Sequence, residues 1–359
     1  MRCCVNCFSD LYLIIKISEA NEVGDCDYCE SQNLHTVDVG MLTEHFEKLM
    51  GYYEFIAPGE HYIPEIHSDP TEYGEMLINL INEDWDIFSR EIEGSGTDGC
   101  LLFDILSSNT SDINLDSTAL YSRITDAFSF SHPLEDWEGY WENFKKELKH
   151  NNRFFPQFKS EVFDETFNDV INRRKMYIAK NFKVYRARMG VQKREDMLAP
   201  PVEKATAGRA NPRGISYLYC AKDEKTSIAE IRPWKGATVT VAEMSLLREL
   251  TLINLTGNIT SPFIYESHNK LLVVVKLLKH FSNDLSKPVD PSKSEIEYLP
   301  TQYLTELIKS KGFDGIYFKS AMGPENNIVI FDETTVEIID VHRFSVDDIA
   351  YCYSKKENS

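Results

Sequence analysis

The stretch Gly208–Glu230, GRANPRGISYLYCAKDEKTSIAE, places Arg209, Tyr219 and Glu230 around a Gly/Asn/Pro-rich turn, a short alternating segment and the start of a helical run. Turn, strand and helix in quick succession indicate an α+β domain rather than a helical one. The residue types also suggest a site. A guanidinium offers a planar fork for phosphate, a tyrosine offers a ring with a polar tip, and a carboxylate can stabilise positive charge beside a ribose. Gly208 and Gly214 allow the turn, and Asn211 with Pro212 shapes it.

Outward from this stretch, β-branched and aromatic residues mark strands at Lys183–Ala187, Ser216–Cys220, Ala237–Met244, Leu252–Leu255, Gly315–Lys319, Asn327–Phe331 and Val336–Val341. Helices are expected over Ile264–Phe281 and Tyr298–Lys311. Residues from about 40 to 180 read as helical, with Leu77, Leu80, Ile81, Phe88 and Ile92 on one face and Phe163, Phe167, Val170 and Ile171 on another. Trp85, Trp137, Trp141 and Tyr140 read as packing residues. Breaks are expected before Tyr73, at Gly94–Gly99 and at Ser107–Asp116. Gly94-Ser-Gly96-Thr-Asp-Gly99 has the form G-x-G-x-x-G, but a helical segment ending at Glu93 precedes it where a dinucleotide turn needs a strand. An interhelix loop is the expectation.

Five of the eight cysteines fall within the first 29 residues. Cys4-x2-Cys7 and Cys26-x2-Cys29 have the spacing of two knuckles on one tetrahedral zinc, a closed structural site with no position for water. Cys3 is an alternative to Cys4. Cys100, Cys220 and Cys352 read as ordinary buried thiols. The chain has 359 residues and a net charge of −19, which disfavours a nucleic-acid footprint. No apolar run approaches the roughly 18 residues of a membrane span, and the polar, cysteine-bearing N-terminus does not suit a signal peptide, so a cytoplasmic protein is expected.

Five ordered blocks resemble the RES domain family over roughly Phe182–Asp340: VYRAR with Arg186, GRANPRG with Arg209, SYLYCA with Tyr219, TSIAEIRP with Glu230, and GFDGIYFKS with Ser320 followed by NNIVIFD. The resemblance implies a fold similar to ADP-ribosyltransferase toxins. It further implies cleavage of NAD at the nicotinamide–ribose bond, with transfer of ADP-ribose to water or inorganic phosphate, NAD depletion as the toxic or defensive output, and an antitoxin or regulatory partner. The family's Arg, Glu and Ser fall at Arg186 or Arg209, Glu230 and Ser320. The ribbon and helical region resemble the HEPN/RES N-terminal extension of longer members. No Arg-x4-6-His pair is present, which argues against an RNase role there. The expected organisation is therefore a small zinc ribbon over residues 1–38, an α-helical domain over 39–180 and an α+β catalytic domain over 181–359.

The roles are then assigned chemically. Arg186 and Arg209 meet the pyrophosphate, although Arg188 shares the face of Arg186. Tyr219 covers nicotinamide with its ring and bonds a ribose or carboxamide through its hydroxyl. Glu230 stabilises the oxocarbenium-like state or orients the acceptor. Locally, however, Ser227-x-x-Glu230 is also a capping box. Ser320 donates to phosphate or ribose and, with no base partner in view, is not read as a nucleophile. Tyr265 and Gln302 are weaker candidates for the cleft wall. Two rival functions are transfer of ADP-ribose to a macromolecule, and a ribbon and helical binding module attached to an inactive C-terminal domain.

Overall fold

The computed structural model describes residues 1–56, 74–108, 119–124, 137–156, 165–257, 260–264, 269–287 and 294–350; Phe163, Tyr265, His268 and Cys352, and the side chains of Trp137 and Tyr140, lie outside this set. The chain forms two compact units, one from 1–141, 157–173 and 257–277, the other from 142–156, 174–256 and 278–359.

In the first unit, β1 (Arg2–Cys4), β2 (Val23–Gly24) and β3 (Leu34–Asp38) form an antiparallel sheet in the order β1-β3-β2. The ribbon region is more than knuckles, because α1 (Leu11–Glu19) lies within it. Asp10 caps α1 by accepting from the Leu13 amide at 3.0 Å, and Leu13 and Ile17 are fully buried. The region after it is only partly helical. α2 (Thr43–Met50), α3 (Leu77–Asp84) and α4 (Thr97–Ser107) accompany a second three-stranded sheet of β4 (Tyr53–Phe55), β5 (Glu75–Met76) and β6 (Leu120–Arg123). Strands this short carry no readable alternation.

α3 ends at Asp84, so neither Phe88 nor Ile92 continues the helix: Phe88 forms an isolated antiparallel bridge with Phe8, and Ile92 lies in the turns that follow. Asp84 is buried and needs compensation. It has the guanidinium of Arg123 at 2.8 Å, the ammonium of Lys276 at 2.6 Å and the Tyr53 hydroxyl at 3.1 Å. Turns lead into Gly94–Gly99, and the carboxylate of Asp98 accepts from the Gly94 and Gly99 amides at 3.1 and 2.9 Å. A phosphate would need such amides, so this loop is not a dinucleotide turn. Cys100 is exposed on α4, not buried.

α5 (Trp137–Lys146) and α6 (Glu165–Arg173) precede the main sheet. Its strands are β7 (Lys175–Ile178), β8 (Lys183–Met189), β9 (Leu218–Ala221), β10 (Thr238–Leu246), β11 (Leu250–Asn254), β12 (Gly315–Lys319), β13 (Asn326–Ile330) and β14 (Val336–Ser345). The order is β14-β10-β8-β9-β13-β12-β11-β7, antiparallel except for β11 beside β12. The helices are α7 (Glu224–Glu230), α8 (Asn269–Ser286), the short α9 (Ser294–Glu297) and α10 (Leu299–Ser310). All seven expected strands occur, with ends shifted by a few residues, and β7 is an additional edge strand.

Two apolar clusters flank the sheet. Val184, Leu218, Met244, Leu252 and Ile328 pack together in one. Ala187, Val239 and Val241 form the other, against Ile228 and Ile231 at α7. The joint between β8 and β9 is unusual: Tyr185↔Ala221 is its only ladder pair. Elsewhere β8 stays zipped to β10, and β9 to β13. Backbone groups beyond that pair need other partners or water, so the sheet opens there.

Close packing within the sheet is testable at Gly315, where an added Cβ would lie 2.2 Å from the Val329 carbonyl oxygen and 2.9 Å from Leu252 Cδ2. Gly315→Ala is expected to lower unfolding free energy by about 3 kcal/mol through overpacking. An unchanged urea midpoint would contradict this packing.

Candidate active site

A cavity of about 390 Å3 occupies the opening between β8 and β9. Tyr185, Arg186 and Ala187 line one side and Tyr219, Cys220 and Ala221 the other. α7 contributes Glu230, the turn contributes Gly208 and Arg209, and Asn327 of β13 also reaches the wall. Five of the expected residues thus meet at one cavity: Arg186, Gly208, Arg209, Tyr219 and Glu230. Asn211, Gly214 and Ser320 stand behind it or in the turn and are not among its lining.

α7 starts earlier than a Ser227 cap would require. Asp223 is the N-cap, accepting from the Thr226 amide at 2.8 Å. Glu230 is the last residue of the helix, and Ser227 Oγ donates to the Glu224 carbonyl at 2.7 Å. The capping-box alternative is therefore excluded. Glu230 Oε1 accepts from Ser320 Oγ at 2.5 Å and from Asn327 Nδ2 at 2.7 Å.

Ser320 is buried, and its oxygen accepts from the Met322 and Gly323 amides at 3.1 and 2.9 Å. Its proton goes to Glu230, so the expected donation to a ligand does not describe this arrangement. A Cβ on Gly323 would lie 2.6 Å from Thr226 Cα, and Thr226 Oγ1 accepts from the Glu325 amide at 3.0 Å. The Ser320 turn is thereby held directly against α7.

Arg186 is half-buried, its guanidinium deep in the protein but facing the cavity. Nη1 donates to the Tyr219 carbonyl at 3.4 Å, a long bond across the open joint. Among the described residues it has no carboxylate partner. Burial pushes its pKa down to about 10, and Arg188 adds repulsion. Such a cation is poised for an anion. Arg188 lies off the cavity, with Nη2 donating to the Leu198 carbonyl at 3.2 Å.

Arg209 is differently engaged. Its Nη1 donates to the carbonyls of Leu285 and Ser286 at 2.9 and 3.3 Å, capping the C-terminus of α8. Gln302 on α10, expected at the wall, instead fixes the turn by donating to the carbonyls of Gly208 and Asn211 at 2.8 and 3.0 Å.

Tyr219 keeps its ring at the cavity, but its hydroxyl is not available as expected. The hydroxyl donates to Asn211 Oδ1 at 2.7 Å and accepts from the Ala210 amide at 3.0 Å; burial raises its pKa. Asn211 Nδ2 in turn donates to the carbonyls of Thr206, Pro212 and Ile215 at 3.0, 3.2 and 2.7 Å. A Cβ on Gly208 would lie 2.4 Å from Asn211 Oδ1 and 2.6 Å from the Tyr219 hydroxyl. Gly214 adopts a φ of +85°, which glycine supplies.

Sequence reasoning assigned no role to Asn327 or to Cys220 in the cavity wall. A polar side chain at the start of the otherwise apolar strand NNIVI was the available signal for Asn327. The Cys220 thiol, pushed up to about 12 by burial, is not a nucleophile at neutral pH.

In the other unit, Cys4, Cys7, Cys26 and Cys29 converge, with sulfurs all within 4.8 Å of one another. Sulfurs at about 2.3 Å from a common ion would stand roughly 3.8 Å apart in a tetrahedron, and the Cys4–Cys7 separation is 4.0 Å. These four could hold a metal. Cys3 alternates away on β1 and is outside the cluster. Tyr28, between the second pair, donates its hydroxyl to Asp104 of α4 at 2.6 Å. No described helix is long and apolar enough to cross a membrane.

Residues 183–352 match the RES domain, and residues 19–162 match HEPN/RES N-terminal domain 1. The chain is thus a RES-domain protein with a HEPN/RES N-terminal domain. Among solved structures, it is similar to a chain in the crystal structure of the M. tuberculosis MbcT–MbcA toxin–antitoxin complex, at 14% identity and a TM-score of 0.34. The similarity covers 51% of this chain and 93% of that one. No curated protein matches.

The guanidinium, with only a long bond to a carbonyl, has a stability consequence. Replacing a desolvated charge that lacks an ion-pair partner with an apolar chain of similar length is often stabilising. Arg186→Met is expected to raise the unfolding free energy of the ligand-free protein by about 1 kcal/mol. A loss of stability in urea titration would show that Arg186 is already compensated.

Proposed function

We propose that the RES domain is a toxin-like enzyme that cleaves the nicotinamide–ribose bond of NAD and transfers ADP-ribose to water or inorganic phosphate. The observation that carries this reading is the pairing, in one cavity, of a guanidinium with no acidic partner among the described residues and a carboxylate fixed by two donors. Arg186 would take the pyrophosphate through charge-assisted bonds. Arg209 adds positive charge to the wall while holding the turn, and the Tyr219 ring flanks the nicotinamide.

The electron pair of the breaking C–N bond returns to the pyridinium nitrogen, so nicotinamide leaves neutral and positive charge appears on the ribose. Glu230 stabilises that charge. Water then adds with loss of a proton, or phosphate adds as an anion. No histidine lines the cavity among the described residues, so Glu230 is also the group placed to receive the proton from water.

The same reading takes the opened mixed sheet as similar to ADP-ribosyltransferase toxins and divides the chain at residues 38 and 180. An antitoxin or regulatory protein is the expected partner, in the cytoplasm. The four thiols suit zinc, whose preference for sulfur and for four-coordination they match, as a structural clip for the N-terminal strands.

Purified protein incubated with NAD should release nicotinamide, and Glu230→Ala should slow release by about 100-fold or more. Equal turnover by the variant would remove Glu230 from the mechanism, and label retained on a macromolecule would move the activity to ADP-ribosyl transfer. Metal analysis should find zinc stoichiometric with the chain and lost in Cys26→Ser. A folded wild-type protein free of metal would contradict the clip.

A further inference from the structure

We infer that Asn327 is a positioning residue, which determines the oxygen of Glu230 that meets the substrate. The inference rests on the reading of Glu230 as the carboxylate beside the breaking bond. Asn327 is buried on β13, in register with Ala221 on one side and Phe318 on the other. A buried amide is costly unless its hydrogens find acceptors. Its Nδ2 donates to Glu230 Oε1 at 2.7 Å, and the residue also lines the cavity.

Ser320 donates to the same oxygen at 2.5 Å. Both donors therefore converge on Oε1, and among the described residues Oε2 has no hydrogen bond. The terminal torsion of a glutamate is broad and offers little orientation of its own. Two donors arriving from different directions remove that freedom. One comes from the Ser320 turn, which backbone amides and the Gly323–Thr226 contact hold against α7. The other comes from the sheet.

The carboxylate is thus tied to both layers that form the site, and Oε2 is left for the ligand. Asn327 touches no bond that breaks; it acts through Glu230. Because this orientation matters most when charge develops on the ribose, its loss should reduce kcat more than NAD binding.

Asn327→Leu keeps the heavy-atom count and the branch at Cγ, though in a bulkier side chain, and removes the donor. A hydrogen bond to a charged group contributes roughly 1.5–3 kcal/mol, which corresponds to about a 10- to 100-fold fall in kcat, with KM for NAD changed less than about twofold. The near-isosteric Asn327→Asp provides a second folded variant, in which an acceptor replaces the donor and kcat should fall at least as far. Crystal structures of both variants should show the Glu230 carboxylate rotated from its wild-type orientation. Unchanged kcat, or a loss confined to KM, would overturn the role of Asn327. If Glu230→Ala retained full NAD turnover, Glu230 would leave the mechanism and the reading on which this inference rests would fail, whereas an unrotated carboxylate in both Asn327 variants, with Glu230→Ala inactive, would overturn the positioning role itself.

Discussion

The single ladder pair between β8 and β9 is the constraint on which the site depends. Each strand remains zipped to its other neighbour, so the opening is held by the sheet rather than by a loose loop. Arg186 lies at the gap and reaches toward the Tyr219 carbonyl, which a continuous sheet would have bonded to a strand. At the same opening the guanidinium has no carboxylate partner among the described residues. A folded protein tolerates such a group where surrounding packing is sufficient, and places of that kind are where ligands supply the missing interaction.

The opposite wall is built by close approach. Gly208 lets the turn contact Tyr219 and Asn211, and Gly323 lets the Ser320 turn contact Thr226, at distances no side chain could occupy. The turn then receives Gln302 from α10 and, through Arg209, binds the carbonyls ending α8. Asn211, Tyr219 and Arg209 are consequently more engaged in supporting the cavity than their residue types suggest. Arg186 and Glu230 are the charged groups of the lining that are not also used to hold the Gly208 turn.

Much of this arrangement was legible in the chain. The β-branched alternation of Thr238–Leu246 and Gly315–Lys319 marks buried strands because side chains there point alternately into two cores. Strands of two or three residues, such as Glu75–Met76 and Tyr53–Phe55, do not last long enough to show a period, and the sheet they form with β6 was missed for that reason. Glu230 was ambiguous locally because Ser227 and Asp223 can each begin a helix, and the register of α7 decides between them. Alternation along β1 likewise separates Cys4 from Cys3. Asn327 was passed over because its meaning depends on a carboxylate 97 positions away, a pairing that no local pattern contains.

The central claim is that Arg186 and Glu230 hold opposite ends of the reacting half of NAD. Its most direct test is the crystal structure of Glu230→Gln soaked with NAD. Pyrophosphate oxygens should lie within hydrogen-bonding distance of Arg186, with the nicotinamide-bearing ribose carbon beside residue 230. NAD bound elsewhere, or bound in this cavity with its pyrophosphate away from Arg186, would contradict the account.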